Sequence, residues 1–125
     1  MEIKLVVAYV PRDRLDKIEA ALRRVGVERI DVSKVRGYGE YRHVESTDWM
    51  TEEVKVEVIT AQHNVDAIVR AMLDAAHIAL PGAGVVVVLP VDKLYLVRTR
   101  GEATPEDFWP KPRTDIDGTP GTSSP

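Results

Sequence analysis

The sequence predicts an α+β fold of the ferredoxin-like type, βαββαβ with a short extra C-terminal strand, in which one antiparallel sheet carries two helices. Two observations lead to this prediction. Strand-type and helix-type segments follow each other as strand–helix–strand twice within the first hundred residues. The strand segments are rich in Val and Ile, whereas the helix segments carry apolar residues at helical spacing. The length of 125 residues suits a single domain.

The first strand–helix–strand unit opens with aliphatic and β-branched residues that predict a strand over Ile3–Val10. Asp13 is a candidate N-cap for the helix that follows, and Gly26 is the expected C-terminal stop. Four apolar residues define the buried side of this helix: Leu15, Ile18, Leu22 and Val25. The next apolar residues predict a second strand, and a slip in their alternation near Lys34 suggests a bulge. They are Ile30, Val32 and Val35.

The second unit follows a polar stretch without a clear period, Glu40–Thr51. Strict alternation predicts a third strand over Val54–Ile59, and Asn64 is the expected N-cap of a second helix. The apolar residues of that helix are Val65, Ile68, Val69, Met72, Leu73 and Ala76. Pro81–Gly84 reads as a turn by composition. Two final strands are expected over Val85–Leu89 and Leu94–Val97.

Composition excludes several classes of protein. The 17 Lys and Arg against 20 Asp and Glu give a net charge of −3, which argues against a nucleic-acid partner. The absence of Cys excludes disulfides and thiolate metal clusters and suits a reducing compartment. The longest apolar run is too short to span a bilayer, so we expect a cytoplasmic protein without direct membrane insertion.

The composition changes towards the C-terminus. We expect a folded domain over residues 1–102 and a tail over residues 103–125 that is rich in Pro, Gly and Ser. Phe108 and Trp109 are the exceptions within this tail. We expect these two side chains to dock on the surface of the domain, with a role as anchors for a partner as the alternative.

Several stretches resemble the PII signal-transduction family and its PII-like relatives, including the branch linked to the handling of inorganic carbon. The resemblance covers about the first hundred residues in order, and its most specific motif is the Gly-aromatic-Gly after the second strand. The matching stretches are Lys4–Ala8, Ala20–Leu22, Gly26–Val27, Val32–Gly39, Val54–Val58, Gly82–Gly84, Val97–Thr99 and Gly101–Glu102.

This resemblance implies a homotrimer with a ligand site in each cleft between neighbouring subunits. In the family an adenine nucleotide lies between the base of a long loop, a glycine-rich turn and basic residues near the C-terminus of the next subunit. Glycines allow backbone N–H groups to approach an anion, and Arg offers a charged fork. The corresponding ligand-site residues are Gly37, Tyr38, Gly39, Leu80, Gly82, Ala83, Gly84, Arg98 and Arg100.

Several basic positions of the family pattern are replaced here. Glu40 and Glu53 stand where the family has cations, and Val85 and Leu96 remove two more. Each lost charge-assisted contact costs about 1.5–3 kcal/mol, so tight binding of ATP in the usual manner is not expected. The prediction is a smaller anion or a less charged nucleotide: AMP, ADP, a cyclic nucleotide or bicarbonate.

The resemblance also implies a regulatory protein that has no enzymatic activity and requires no cofactor. The segment 40–51, shorter than in the family, would present a surface to a target when the ligand changes its ordering. Arg42 and Trp49 are the candidate contact residues of this loop. A membrane transporter or a metabolic enzyme is the kind of target that the resemblance implies.

Two other functions remain open at this point. A metal-binding trimer would use the loop residues His43, Glu45 and Asp48, although their irregular spacing favours solvated side chains over a metal site. An enzyme of the acylphosphatase type would need Arg12 or Arg14 in a phosphate cradle together with an oriented Asn64. RNA binding through the sheet is disfavoured, because the third strand offers no aromatic platform.

Overall fold

A computed structural model describes residues 1–37 and 51–108 of the chain. Two α-helices and six strands are found within these ranges, and a one-turn 3₁₀ helix precedes each α-helix. The strands are β1 (Ile3–Pro11), β2 (Asp31–Gly37), β3 (Thr51–Ala61), β4 (Val85–Val91), β5 (Tyr95–Leu96) and β6 (Gly101–Glu102). The α-helices are α1 (Leu15–Arg24) and α2 (Val65–Ala76), preceded by the 3₁₀ turns Arg12–Arg14 and Gln62–Asn64.

The first four strands form one antiparallel sheet in the order β2-β3-β1-β4. β1 lies in the centre, where Val6 is paired with Val58 of β3 and with Val88 of β4. This order, with a helix after β1 and another after β3, confirms the predicted ferredoxin-like βαββαβ architecture.

The hydrophobic core lies between the sheet and the two helices. Residues that are directly opposite each other on neighbouring strands share a face, so the alternating valines of β1 and β3 form one continuous apolar layer. The helices cover this layer with side chains that are almost completely buried: Ile18, Leu22, Ile68 and Met72. Burial of each such side chain contributes about 1.5–3 kcal/mol, which explains why the apolar period alone predicted both helices.

One expected N-cap is wrong, and the other is confirmed in position but makes no capping bond with its side chain. Asp13 lies inside the first 3₁₀ turn, and α1 begins after Arg14, which makes no side-chain capping bond to any described residue. Asn64 does occupy the N-cap position of α2, but its Nδ2 donates a hydrogen bond to Oγ1 of Thr60 at 3.2 Å instead of capping the helix. The extra 3₁₀ turn moves the start of α1 beyond Asp13, and composition does not indicate that turn.

Two other local predictions have different outcomes. Gly26 ends α1 as expected, with a φ of 93° and with the N–H of Val27 donating to the Leu22 carbonyl at 2.9 Å. The bulge expected near Lys34 is wrong, because β2 pairs with β3 in unbroken register from Asp31 to Gly37. β2 is an edge strand, so the slip in its apolar pattern reflects exposure and not an extra residue.

The face of the sheet opposite the helices, called the open face below, is apolar on β1 and β4. Leu5, Val7 and Tyr9 of β1 lie on this face, opposite Leu89, Val87 and Val85 of β4, and Ile59 of β3 lies beside Leu5. Four of these side chains remain more than a third exposed: Ile59 38%, Val85 44%, Val87 37% and Leu89 41%. A contiguous exposed apolar surface of this kind is typical of an interface with another protein.

The two ends of the sheet contain different parts of the chain, and we call them the loop end and the tail end. The loop end contains Pro11, Gly37, Thr51 and the turn before β4, whereas the tail end contains Ile3, Ala61 and Val91. The nine residues of β1 separate the two ends by about 27 Å at the usual rise per residue of a strand.

The chain after β4 forms a small hairpin at the tail end. The strand expected over Leu94–Val97 is reduced to β5, which pairs with β6 and not with the main sheet. Phe108 is 2% exposed and packs with Ile3 and Ala61, which confirms the docking expected for this side chain. Trp109 lies outside the described residues. In residues 1–37 and 51–108, there is no helix with the length and apolarity that a membrane crossing requires.

Candidate ligand-binding site at the loop end of the sheet

A turn with two glycines in left-handed conformations leads into β4 at the loop end. Gly82 has a φ of 95° and Gly84 a φ of 108°, values that residues with a side chain rarely adopt. Ala83 between them is half-buried, and Leu80 is 69% exposed. The turn therefore presents backbone at the edge of the sheet, with an apolar side chain projecting beside it.

Gly84 has a structural function of its own. A Cβ atom at this position would lie 2.1 Å from the carbonyl oxygen of Tyr9. The chain therefore approaches β1 more closely than any side chain would allow. Gly84 is required for the pairing of β4 with β1, whether or not it also contacts a ligand.

The base of the loop contains a cluster of charged residues that sequence reasoning had not assigned to the site. Arg12, just after β1, forms an ion pair with Glu52 of β3 at 3.3 Å between Nη1 and Oε2. Arg36 of β2 is the residue directly opposite Glu52 in the β2–β3 ladder. The ladder and the ion pair therefore connect the first 3₁₀ turn with both strands that flank the loop. This cluster could not be found from the sequence, because it depends on the register in which β2 pairs with β3. That register is known only from the structure.

The next residue, Glu53, lies on the opposite face of β3. It is half-buried opposite Pro11 on one side and Val35 on the other. Among the described residues Glu53 has no ion-pair partner. A carboxylate at this position repels a highly charged anion, and Val85 at the end of the glycine turn adds no cation to offset it.

The two arginines of the predicted site lie in the hairpin that is attached at the tail end. Arg98 and Arg100 occupy the loop between β5 and β6, and both are exposed. Arg100 has a φ of 57°, and its N–H donates to the Leu96 carbonyl at 2.8 Å. Neither guanidinium has an ion-pair partner within residues 1–37 and 51–108. Both arginines are therefore available to an external anion.

The structure thus brings together only part of the predicted site. Gly37 and the turn residues Leu80, Gly82, Ala83 and Gly84 lie at the loop end, on opposite edges of the sheet, whereas the base of the arginine hairpin lies about 27 Å away along β1. The remaining predicted residues lie outside the described residues: Tyr38, Gly39, Arg42 and Trp49.

Two alternative functions are also affected by the geometry. Arg12 and Arg14 follow β1 at the loop end, whereas Asn64 follows β3 at the tail end, because the two strands are antiparallel. An acylphosphatase-type site cannot form from residues so far apart. In the described part of the chain, no group of three His, Cys, Asp or Glu side chains is placed to hold a metal ion. The loop residues His43, Glu45 and Asp48 lie outside it.

Comparison with known proteins agrees with this architecture. The family model of nitrogen regulatory protein P-II matches residues 3–101. The chain is 35% identical over 104 residues to nitrogen regulatory protein GlnK2 of Haloferax mediterranei, which covers 78% of this chain and 85% of that protein. It is 31% identical over 104 residues to nitrogen regulatory protein P-II of Rhizobium meliloti, which covers 78% of this chain and 93% of that protein.

A solved structure shows the same fold. The crystal structure of Arabidopsis thaliana PII bound to citrate superposes with a TM-score of 0.70 at 27% identity, covering 82% of this chain and 89% of the plant protein. The class of protein is defined by three findings that agree. They are the sheet of four strands covered by two helices, the family match over residues 3–101 and the similarity to these relatives. The chain belongs to the nitrogen regulatory protein P-II family. Proteins of this family are trimeric signal-transduction regulators that bind small effectors, and they are not enzymes.

Proposed function

We propose that this protein is a non-enzymatic, cytoplasmic regulator. It forms a homotrimer and binds a small anion or a weakly charged adenine nucleotide in the clefts between its subunits. The observation that carries the proposal is the separation of the site residues within one chain. The glycine turn and the arginine hairpin belong to opposite ends of the sheet, so one subunit does not complete the site.

The open face supports assembly with further copies of the chain. Its apolar residues on β1 and β4 form a surface that would be costly to leave in water. A trimer, the assembly of the family, would cover this surface and place the hairpin of one copy next to the loop end of another. The site residues would then be Gly37, Tyr38, Gly39, Leu80, Gly82, Ala83 and Gly84 of one subunit with Arg98 and Arg100 of its neighbour.

The charges at the loop end favour an effector of low charge. Arg12 is already paired with Glu52, and Glu53 is half-buried beside the loop base. Two arginines from a neighbour would balance one or two negative charges but not a full triphosphate. AMP, a cyclic nucleotide and bicarbonate fit this balance, and ADP, with one more negative charge, is the most highly charged compound proposed. The plant neighbour is bound to citrate, so a small carboxylate joins the group to be tested.

Effector binding would act on a target through the loop 40–51. The residues on both sides of this loop lie in β2 and β3, at the same end of the sheet as the glycine turn, so a ligand that spans this end would contact the base of the loop. Arg42 and Trp49 would contact the target, a membrane transporter or a metabolic enzyme. We retain the division into a domain over residues 1–102 and a tail over residues 103–125 as a prediction, with residues 103–108 attached to the domain.

The proposal is tested by measuring assembly and binding on the same preparation. Sedimentation should give a trimer, and calorimetric titration with AMP, ADP, cyclic AMP, bicarbonate and citrate should show binding of at least one compound. Arg98→Ala should weaken that binding about tenfold or more and leave the trimer intact, because a charge-assisted contact is lost. Leu73→Ala on the exposed side of α2 is the matched control. A monomer, or a folded trimer that binds none of the five compounds, would contradict the proposal.

A further inference from the structure

The C-terminal segment that follows the arginine hairpin ends in a buried anchor. Phe108 is 2% exposed and packs against Ile3 and Ala61 on the open face at the tail end. Val91, Leu94 and Ala103 complete the cluster around it. We define the five other residues of this cluster as the Phe108 socket: Ile3, Ala61, Val91, Leu94 and Ala103.

The hairpin has few attachments of its own. Its ladder contains only two residue pairs, and an isolated hairpin of this size is not stable in water. The ion pair between Lys93 Nζ and Glu102 Oε1, at 3.5 Å, is exposed and contributes little. Val97 at the tip is 93% exposed, so the tip receives almost no cover from its own chain.

The socket is connected directly to both strands of the hairpin. Leu94 precedes β5, Ala103 follows β6, and the N–H of Ala103 donates to the Leu94 carbonyl at 2.9 Å. Both residues pack in the cluster that contains Phe108. The base of the hairpin therefore packs against the sheet in the same apolar cluster as the aromatic ring.

A short turn directs Phe108 into its socket. The N–H of Thr104 donates to Oδ2 of Asp107 at 2.7 Å, and the N–H of Asp107 donates to the Thr104 carbonyl at 2.9 Å. Pro105 fixes the backbone at the start of this turn. The segment leaves the hairpin in a defined direction, and the ring reaches the open face within six residues of β6.

We propose that Phe108 is a positioning residue of the ligand site: it holds the hairpin so that Arg98 and Arg100 reach the anion in the cleft of a neighbouring subunit. This inference rests on the proposed function, because the arginines matter only if that cleft binds an anion. Phe108 itself does not contact the ligand. Its effect passes through Leu94 and Ala103 to the β5–β6 pairing and from there to the two guanidinium groups.

The first test is hydrogen–deuterium exchange on the full-length protein and requires no ligand. Phe108→Ala should accelerate exchange of the Arg100 and Ala103 amides about tenfold or more, while amides in the centre of β1 and β3 stay protected. Phe108→Leu should restore most of the protection, and Leu73→Ala on α2 serves as the control. Unchanged exchange in the hairpin, or an increase spread evenly over the sheet, would overturn the positioning role.

The second test is a double-mutant cycle with ADP as the probe and with the trimer checked by sedimentation for every variant. Arg98→Ala should weaken ADP binding about tenfold in the unmodified protein but less than about threefold in the Phe108→Ala background, because the arginine is no longer held in place. Equal effects in both backgrounds would overturn the inference. An Arg98→Ala effect that is absent from both backgrounds contradicts the proposed site, and the exchange result then decides alone whether Phe108 holds the hairpin.

Discussion

At both ends of the sheet a strand is joined to a helix by the same kind of connection, which we call a corner. The two corners differ in the charge and burial of their side chains. At each end a strand leads through a one-turn 3₁₀ helix into an α-helix, Arg12–Arg14 at the loop end and Gln62–Asn64 at the tail end. The first turn is charged and largely exposed, with an ion pair to β3. In the second turn, the side chain of Asn64 is buried and donates a hydrogen bond to the hydroxyl of Thr60, which is itself completely buried.

This difference shows that the same supersecondary unit can place its polar side chains either in solvent or in the interior of the protein. At the loop end the ion-paired side chains of Arg12 and Glu52 are exposed to solvent. The tail end contains the buried hydrogen bond between Asn64 and Thr60, and the C-terminal segment packs there through Phe108. Exposed ion pairs stabilise little, whereas removal of one partner of a buried hydrogen bond is costly. The two ends should therefore respond very differently to matched substitutions.

The largest contrast is expected between two glycines, one at each end. Gly84→Ala forces a Cβ atom onto the Tyr9 backbone and a left-handed φ onto alanine, so it should lower the free energy of unfolding by about 3–5 kcal/mol. Gly101→Ala has Thr99 Oγ1 as its nearest neighbour at 3.9 Å and should change stability by about 0.5 kcal/mol or less. Urea denaturation measures both. Equal stability of the two variants would show that β4 does not approach β1 in this way.

The next contrast lies in the two corners. Asn64→Ala leaves the completely buried Thr60 hydroxyl without this donor and should cost about 1–3 kcal/mol of unfolding free energy. Arg14→Ala, at the same place in the first corner, should cost about 0.5 kcal/mol. Thermal unfolding of the two variants in the same buffer compares them. A larger loss for Arg14→Ala would reverse the assignment of buried and exposed corners.

The smallest effect is expected at the Arg12–Glu52 ion pair. Glu52→Gln removes a contact between two exposed side chains and should change stability by about 0.2–1 kcal/mol. This difference should disappear at high salt, because exposed charges are screened. Measurements of the unfolding free energy at low and at high ionic strength test the point. A loss that persists in high salt would mean that the pair is better shielded than its exposure indicates.

The elements that could be predicted from sequence are those fixed by apolar periodicity. The spacing of Leu15, Ile18 and Leu22 reports directly on which side of α1 is buried, and Gly26 reports on where it ends. The β5–β6 hairpin was not predicted correctly, because its pairing depends on a left-handed Arg100, a conformation that arginine does not indicate. The 3₁₀ corners were missed because composition does not distinguish them from a capped helix start.

The valines of β4 and the site residues show a different limit. An unbroken apolar run predicts burial on both faces, yet Val85, Val87 and Val88 are each more than a third exposed in the single chain. The pattern fits a strand whose remaining cover comes from another copy. The sequence could name Gly82 and Arg98 but could not show that they lie at opposite ends of the sheet, because that separation depends on the pairing of β4 with β1 and on the docking of the hairpin.

The measurement that tests the composite site most directly uses mixed trimers. Arg98→Ala lacks the hairpin cation, and Ala83→Glu places a carboxylate at the glycine turn, so each variant alone should bind poorly. Refolded together at equal amounts, they should regain about a quarter of the binding capacity of the unmodified protein, since each cleft draws its two halves from different subunits. Calorimetric titration with the panel compound that binds the unmodified protein most tightly gives this capacity. No recovery in mixed trimers confirmed by native mass spectrometry would contradict a site shared between neighbours.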